Sequence, residues 1–219
     1  MSGHLSRGRN LAEQAGRLET TAESQKNREI LKLYQAAIEE FEGGLVCVAT
    51  LGEESWPSAA LQMSYLAGMC SYQMAPIAQL RKEVLETAVA HFQNMYTYSR
   101  MPVVKETALE WRGKTFGQLG RDCDAHAAFE KLLKLRGMSL KEWDVNTLFM
   151  FAASATNCNV ERGAELWVFL HKNGYLRRGP LCRSCANKMD IALRRTGKAA
   201  LADRIFQEDI LPKAPWRFA

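Results

Sequence analysis

The stretch Ala88-Val-Ala-His-Phe92-Gln-Asn-Met95-Tyr-Thr-Tyr-Ser99-Arg-Met-Pro102 decides the fold, because something like it returns three times. Ala125-x3-Phe129-x2-Leu132 precedes Gly137, Gly163-x3-Trp167-x2-Leu170 precedes Gly174, and Ala202-x3-Phe206 precedes Pro212. The starts are 37, 38 and 39 residues apart. A period in this range is the mark of stacked helical hairpins. Steps of four, three and four keep the quoted residues on one helical stripe. The small first residue admits a neighbouring helix, the large apolar ones fill the seam, and Gly or Ser with a following Pro ends the helix.

Working outward, the spacing predicts four antiparallel helix pairs over about 58–99, 107–136, 139–173 and 179–210. Pro76 is expected in the first turn of a long helix running to Ser99. Thr107-x2-Glu110 and Ser139-x2-Glu142 have the form of capping boxes opening helices, and Asn159 is placed to cap Val160–Asn173. Gly179-Pro180 is expected to start a helix ending at Thr196-Gly197, with Lys198–Ile210 after it. Upstream, a polar helix over Leu11–Thr21 and an apolar-striped one over Asn27–Phe41 are expected, the second stopped by Gly43-Gly44. Leu45–Thr50 has strand composition but no partner strand, so it reads as a short helix or packed loop. The expectation is an all-α solenoid of about four pairs over 58–211, after an arm and helical extension over 1–57 and before a tail over 212–219.

Composition narrows the function classes. The 219 residues are 47% hydrophobic and 24% charged, ordinary for a globular chain. The net charge of +5 is uneven. Residues 177–219 hold ten Lys/Arg and four Asp/Glu, whereas the other 176 hold 19 and 20. A basic end on a near-neutral body points to an anionic partner such as nucleic acid. The uncharged Ser55–Leu80 stretch is too polar to span a bilayer and reads as helix buried on several sides. Met1–Asn10 is basic and Ser/Gly-rich, a weak organellar transit signal or an arm that orders on a partner. The six cysteines form no dense framework, which suits free thiols in a reducing compartment.

An enzyme is not expected. Ala108-x4-Gly113-Lys114-Thr115 satisfies a relaxed phosphate-loop pattern, but Leu109, Glu110, Trp111 and Arg112 are too bulky to wrap a phosphate and read as plain helix. Cys182-x2-Cys185 is the one close cysteine pair. Zinc needs four ligands, and only His171 and Cys158 offer themselves besides, so these two are weak metal candidates and no cofactor is expected. None of His4, His91, His126 and His171 has a triad-like setting, and His91 and His126, beside the repeat seams, read as surface or packing residues.

The hairpins resemble pentatricopeptide repeats over about residues 77–210. Asp144-Val-Asn-Thr-Leu-Phe149 is similar to the first-helix signature of that family, Gly163–Gly174 to its second helix, and Asn187-x-Met189-x3-Leu193-x3-Gly197 with Ala202-x3-Phe206 to the next unit. Tetratricopeptide repeats are the close alternative. The resemblance implies single-stranded RNA read one base per repeat, with Asn146 and Asn187 matching the base-facing Asn. The usual acidic or amide partner of that Asn is replaced by Leu176-Arg177-Arg178, which favours phosphate contact. Expected RNA contacts are therefore Asn146, Arg177, Arg178, Arg183, Asn187, Lys188, Arg194, Arg195 and Lys198, with Trp216 available for stacking. Four repeats address too few bases to act alone. The expectation is an rRNA-contacting structural subunit of a mitochondrial ribosome, flanked by other protein subunits. The alternative is a protein scaffold or accessory subunit of a mitochondrial respiratory or ATP synthase complex.

Overall fold

The computed structural model describes residues 2–19, 24–49, 56–137, 139–179 and 182–213. Every regular element among them is helical: α1 (Ser2–Glu19), α2 (Ser24–Ala49), α3 (Ser58–Met74), α4 (Arg81–Tyr98), α5 (Pro102–Gln118), α6 (Asp122–Arg136), α7 (Val145–Cys158), α8 (Val160–Lys172), the single turn α9 (Tyr175–Arg178), α10 (Arg183–Arg195) and α11 (Ala199–Ile205). The fold is all-α, with consecutive helices packed as antiparallel pairs. No helix among the described residues is long and apolar enough to cross a membrane.

The chain divides into two compact units, Met1–Leu119 and Gly120–Ala219. The division cuts through the helix pair expected over 107–136, placing α5 in the first unit and α6 in the second.

In the first unit α1 to α5 pack each against the next. Tyr34, Phe41 and Val48 on α2 meet Met63 and Ala67 on α3 in a closed apolar core. Four local expectations are corrected here. The basic N-terminus is not an arm: Ser2–Glu19 is helix α1, packed on α2. Gly43-Gly44 does not stop α2, which runs on to Ala49. A Cβ at Gly44 would meet Met63 Sδ at 2.5 Å and His4 Cβ at 3.2 Å, so this glycine marks a close helix crossing. Leu45 and Val48 then extend the buried stripe of Phe41 by steps of four and three. Pro76 lies in the turn after α3, where the Met74 carbonyl accepts from the Ile77 and Ala78 N–H groups, and α4 starts only at Arg81. Thr107 opens nothing. Pro102 starts α5 five residues earlier, and the Thr107 hydroxyl donates to the Val103 carbonyl at 3.0 Å, a mid-helix habit of threonine. The phosphate-loop lookalike is interior helix: Lys114 Nζ pairs with Glu110 at 2.7 Å, and the Thr115 hydroxyl donates to the Trp111 carbonyl.

In the second unit α6 packs on α7, α7 on α8, and α10 on α7, α8 and α11. First helices α7 and α10 thus touch, as successive hairpins of a stack do. Ala125, Phe129, Leu132, Trp167, Leu170 and Ala202 are all buried at about 1% exposure or less. Gly137 ends α6 at φ 58°, a left-handed cap that costs other residues energy. Asn159 caps α8 as expected, its side chain accepting from the Arg162 N–H at 3.0 Å. Ser139 caps only a 3-10 turn over Leu140–Glu142. The N-cap of α7 is Asp144, whose Oδ2 accepts from both the N–H and the hydroxyl of Thr147. Gly179 does not open α10, which begins at Arg183 behind Cys182, and Pro180 lies outside the described residues.

The free-thiol expectation fails for one pair. Cys123, near the start of α6, and Cys158, at the end of α7, form a disulfide with a Cα–Cα separation of 5.1 Å. They stand 35 residues apart. Antiparallel packing brings those two ends together, which no local spacing could announce.

Candidate nucleic-acid interface

The nine expected RNA contacts fall on α7, α9, α10 and the turn before α11, all in the second unit. α7 is enclosed by α6, α8 and α10, and its buried residues leave one stripe toward solvent: Asn146, Met150, Ala153 and Asn157, in steps of four, three and four. Asn187 lies on α10, the first helix of the next hairpin. Both Asn146 and Asn187 are exposed. On α10, Ala186, Met189, Ala192 and Leu193 face inward, while Arg183, Asn187, Ile191 and Arg195 follow one another at intervals of four on the exposed side.

The cations are not equivalent. Arg177 Nε donates to Asp209 Oδ1 at 2.5 Å, and His171 Nδ1 lies 2.7 Å from Asp209 Oδ2. Glu208 stands 3.9 Å from the same guanidinium. Arg194 Nε donates to both oxygens of Asp190 at 2.8 and 3.0 Å and, through its terminal nitrogen, to Asp203. These two arginines therefore engage all four acidic residues of the 177–219 segment. Lys188 draws on Asp122 of α6, at 3.3 Å, and Asp122 also accepts from the Asn157 side chain. That polar knot sits next to the Cys123–Cys158 bond and ties α10 to the α6–α7 pair.

The charge left unbalanced is thereby located. Arg178, Arg183, Arg195 and Lys198 are exposed and have no carboxylate partner among the described residues, and Arg204 on α11 adds a fifth such cation. Arg183 stands at the first position of α10, where no acidic residue occupies the first turn. A cation there opposes the helix dipole and adds to the positive end of α10. Arg195 and Lys198 lie at the other end of the helix, about 18 Å away at 1.5 Å per residue. Anionic groups spaced along a strand suit such a layout better than a single small ion. Trp216 and Arg217 lie outside the described residues.

Asp209 is the buried group that shapes this hairpin, at 2% exposure. Burial pushes its carboxyl upward, but hydrogen bonds from Arg177 and His171 outweigh that and hold it below its ordinary value of 3.8. Since the folded value is the lower one, the carboxylate contributes stability above the unfolded value and loses it as pH falls through the folded one. Asp209→Asn is expected to cost about 1–3 kcal/mol at pH 7. The difference from wild type, read from urea midpoints across pH, should close below pH 3.8. A gap unchanged at low pH would mean that the carboxylate charge contributes nothing.

Among the described residues no three His, Cys, Asp or Glu side chains converge on a point that could hold a metal ion. His171 is turned to Asp209 and Cys158 is bonded to Cys123, so neither joins Cys182 and Cys185. The ion pairs Arg177–Asp209 and Arg194–Asp203, 32 and 9 residues apart, had no signature in the sequence. Comparison with protein-family models, with curated proteins and with solved structures finds no match.

Proposed function

We propose that this chain is an RNA-contacting, pentatricopeptide-like subunit of an organellar ribonucleoprotein, a structural component of a mitochondrial ribosome that meets rRNA through the α9–α11 region. The observation that carries the reading is that Arg178, Arg183, Arg195 and Lys198 are exposed cations with no carboxylate partner among the described residues, Arg183 and Arg195 sharing the exposed side of α10 with Asn187. The successive first helices α7 and α10, each presenting an exposed Asn, supply the arrangement that a repeat array uses. Contact is mainly to phosphates. Of the four stripe residues of α7, Asn157 is engaged by Asp122, so little is left to distinguish bases.

Exposed apolar side chains in the first unit favour a second, protein-binding role: Val46, Leu80, Met101 and Val103 are each at least 45% exposed. A scaffold subunit of a respiratory or ATP synthase complex would use such positions alone. The two readings separate on nuclease treatment of the native complex. Release of the protein by ribonuclease supports RNA contact, and retention in an RNA-free particle supports the scaffold.

A further inference from the structure

Cys182 and Cys185 occupy the start of α10, the first as N-cap and the second three residues on, with their sulfurs 3.3 Å apart. Cys182 is exposed and Cys185 partly buried behind it. The Cys185 N–H points at the Cys182 sulfur at 3.4 Å. The geometry points to a dithiol–disulfide exchange site, in which Cys182 attacks a small anionic disulfide and Cys185 resolves the adduct.

The two sulfurs are made unlike by their surroundings. Partial burial pushes the Cys182 thiol up, but the backbone N–H groups of Cys185 and Ser184 and the Cys185 side chain outweigh it, leaving the thiol below its ordinary 9.0. Cys185 is pushed up to about 12, by burial first and then by the neighbouring Cys182, with Lys188 acting slightly against the shift. The positive end of α10 and the adjacent Arg183 favour a thiolate at the first position and attract an anionic substrate. No other cysteine has this setting. Cys70 is buried and pushed up to about 12, Cys47 is a single thiol, and Cys123 and Cys158 are already joined.

The chemistry closes with a low-molecular-weight disulfide, RSSR, as oxidant. The Cys182 thiolate forms a bond to one sulfur of RSSR and expels the other as RS⁻. Cys185 then gives up its proton and attacks the Cys182 sulfur, forming the Cys182–Cys185 bond and expelling the second RS⁻. The two protons lost by the protein end on two RSH, and two electrons pass from the dithiol to RSSR.

Oxidised glutathione is the probe. The full-length protein is incubated with it, quenched in acid, alkylated and cut with trypsin. Cleavage after Arg178, Arg183 and Lys188 leaves peptides 179–183 and 184–188 joined only by the new bond. The expected product in wild type is that joined pair. Cys185→Ser should accumulate one glutathione on peptide 179–183. Cys182→Ser, in which Ser remains a good N-cap, should acquire glutathione at Cys185 about tenfold more slowly. Equal rates in the two single variants, or glutathione on both cysteines of wild type with no joined peptide, would overturn the assignment. Peptide mapping keeps any adduct on Cys47 separate.

Discussion

Between about 50 and 200 mM monovalent salt, affinity for single-stranded RNA should fall roughly fiftyfold, the change that four phosphate contacts on a single strand produce. The variant R178E/R183E/R195E/K198E should lose most of that dependence as well as the affinity itself. Both effects follow from which cations remain unbalanced. Each phosphate neutralised by Lys or Arg releases condensed counterions, so the slope of log affinity against log salt counts the contacts. Arg177 and Arg194 are the informative contrast. They already face Asp209, Glu208, Asp190 and Asp203, so Arg194→Ala should alter the slope by much less than Arg195→Ala. Arg177→Ala should instead weaken folding, because it strips a partner from a buried carboxylate. Fluorescence anisotropy with a labelled oligonucleotide at several salt concentrations reads the slopes, and urea denaturation reads the Arg177→Ala effect. Equal slopes for wild type and the quadruple variant would remove the α9–α11 region from RNA contact.

The same contrast explains how far the sequence could be read. The periodic pattern of small and large apolar residues places α4, α6, α8 and α11 correctly because burial of a helical stripe imposes it directly. The cap at Asn159, whose partner lies within one turn, was equally legible. Punctuation failed where a residue type serves two purposes. Gly43-Gly44 looks like a stop, yet Gly44 is there because α1 and α3 press close on α2. Thr107 and Ser139 look like capping boxes, yet Pro102 and Asp144 start the helices. In the basic hairpin, composition located the excess charge to within one segment. Which side chains carry it depends on Asp209, Asp203 and Asp122, and these meet their partners only after the helices pack. The disulfide Cys123–Cys158 was hidden for the same reason.

Trp167→Ala should cost about 3–5 kcal/mol, a large share of the roughly 5–15 kcal/mol that holds a domain of this size together. Trp167 is fully buried, stands edge-on to Phe149 at 5.8 Å, and donates from Nε1 to the Thr156 hydroxyl at 2.9 Å. That hydroxyl donates in turn to the Ala152 carbonyl at 2.9 Å, so α7 and α8 are joined by packing and by a short hydrogen-bonded relay. Gly163, one helical turn earlier, makes the joint possible. A Cβ there would come within 2.7 Å of Thr156 Cα and 2.8 Å of Thr156 N. Those atoms are backbone and can yield only if the helices part. Gly163→Ala sets two effects against each other: a gain of about 1 kcal/mol in helix propensity, and an overpacking cost of about 1–3 kcal/mol. The second should win. The parting it forces also stretches the Trp167–Thr156 bond. Gly163→Ala and Trp167→Phe should therefore be sub-additive, with a coupling of about 1 kcal/mol between them. Urea denaturation followed by far-ultraviolet circular dichroism gives all four corners of the cycle. A stabilised Gly163→Ala would show that propensity prevails and that α7 and α8 do not need the small residue with which the repeat begins.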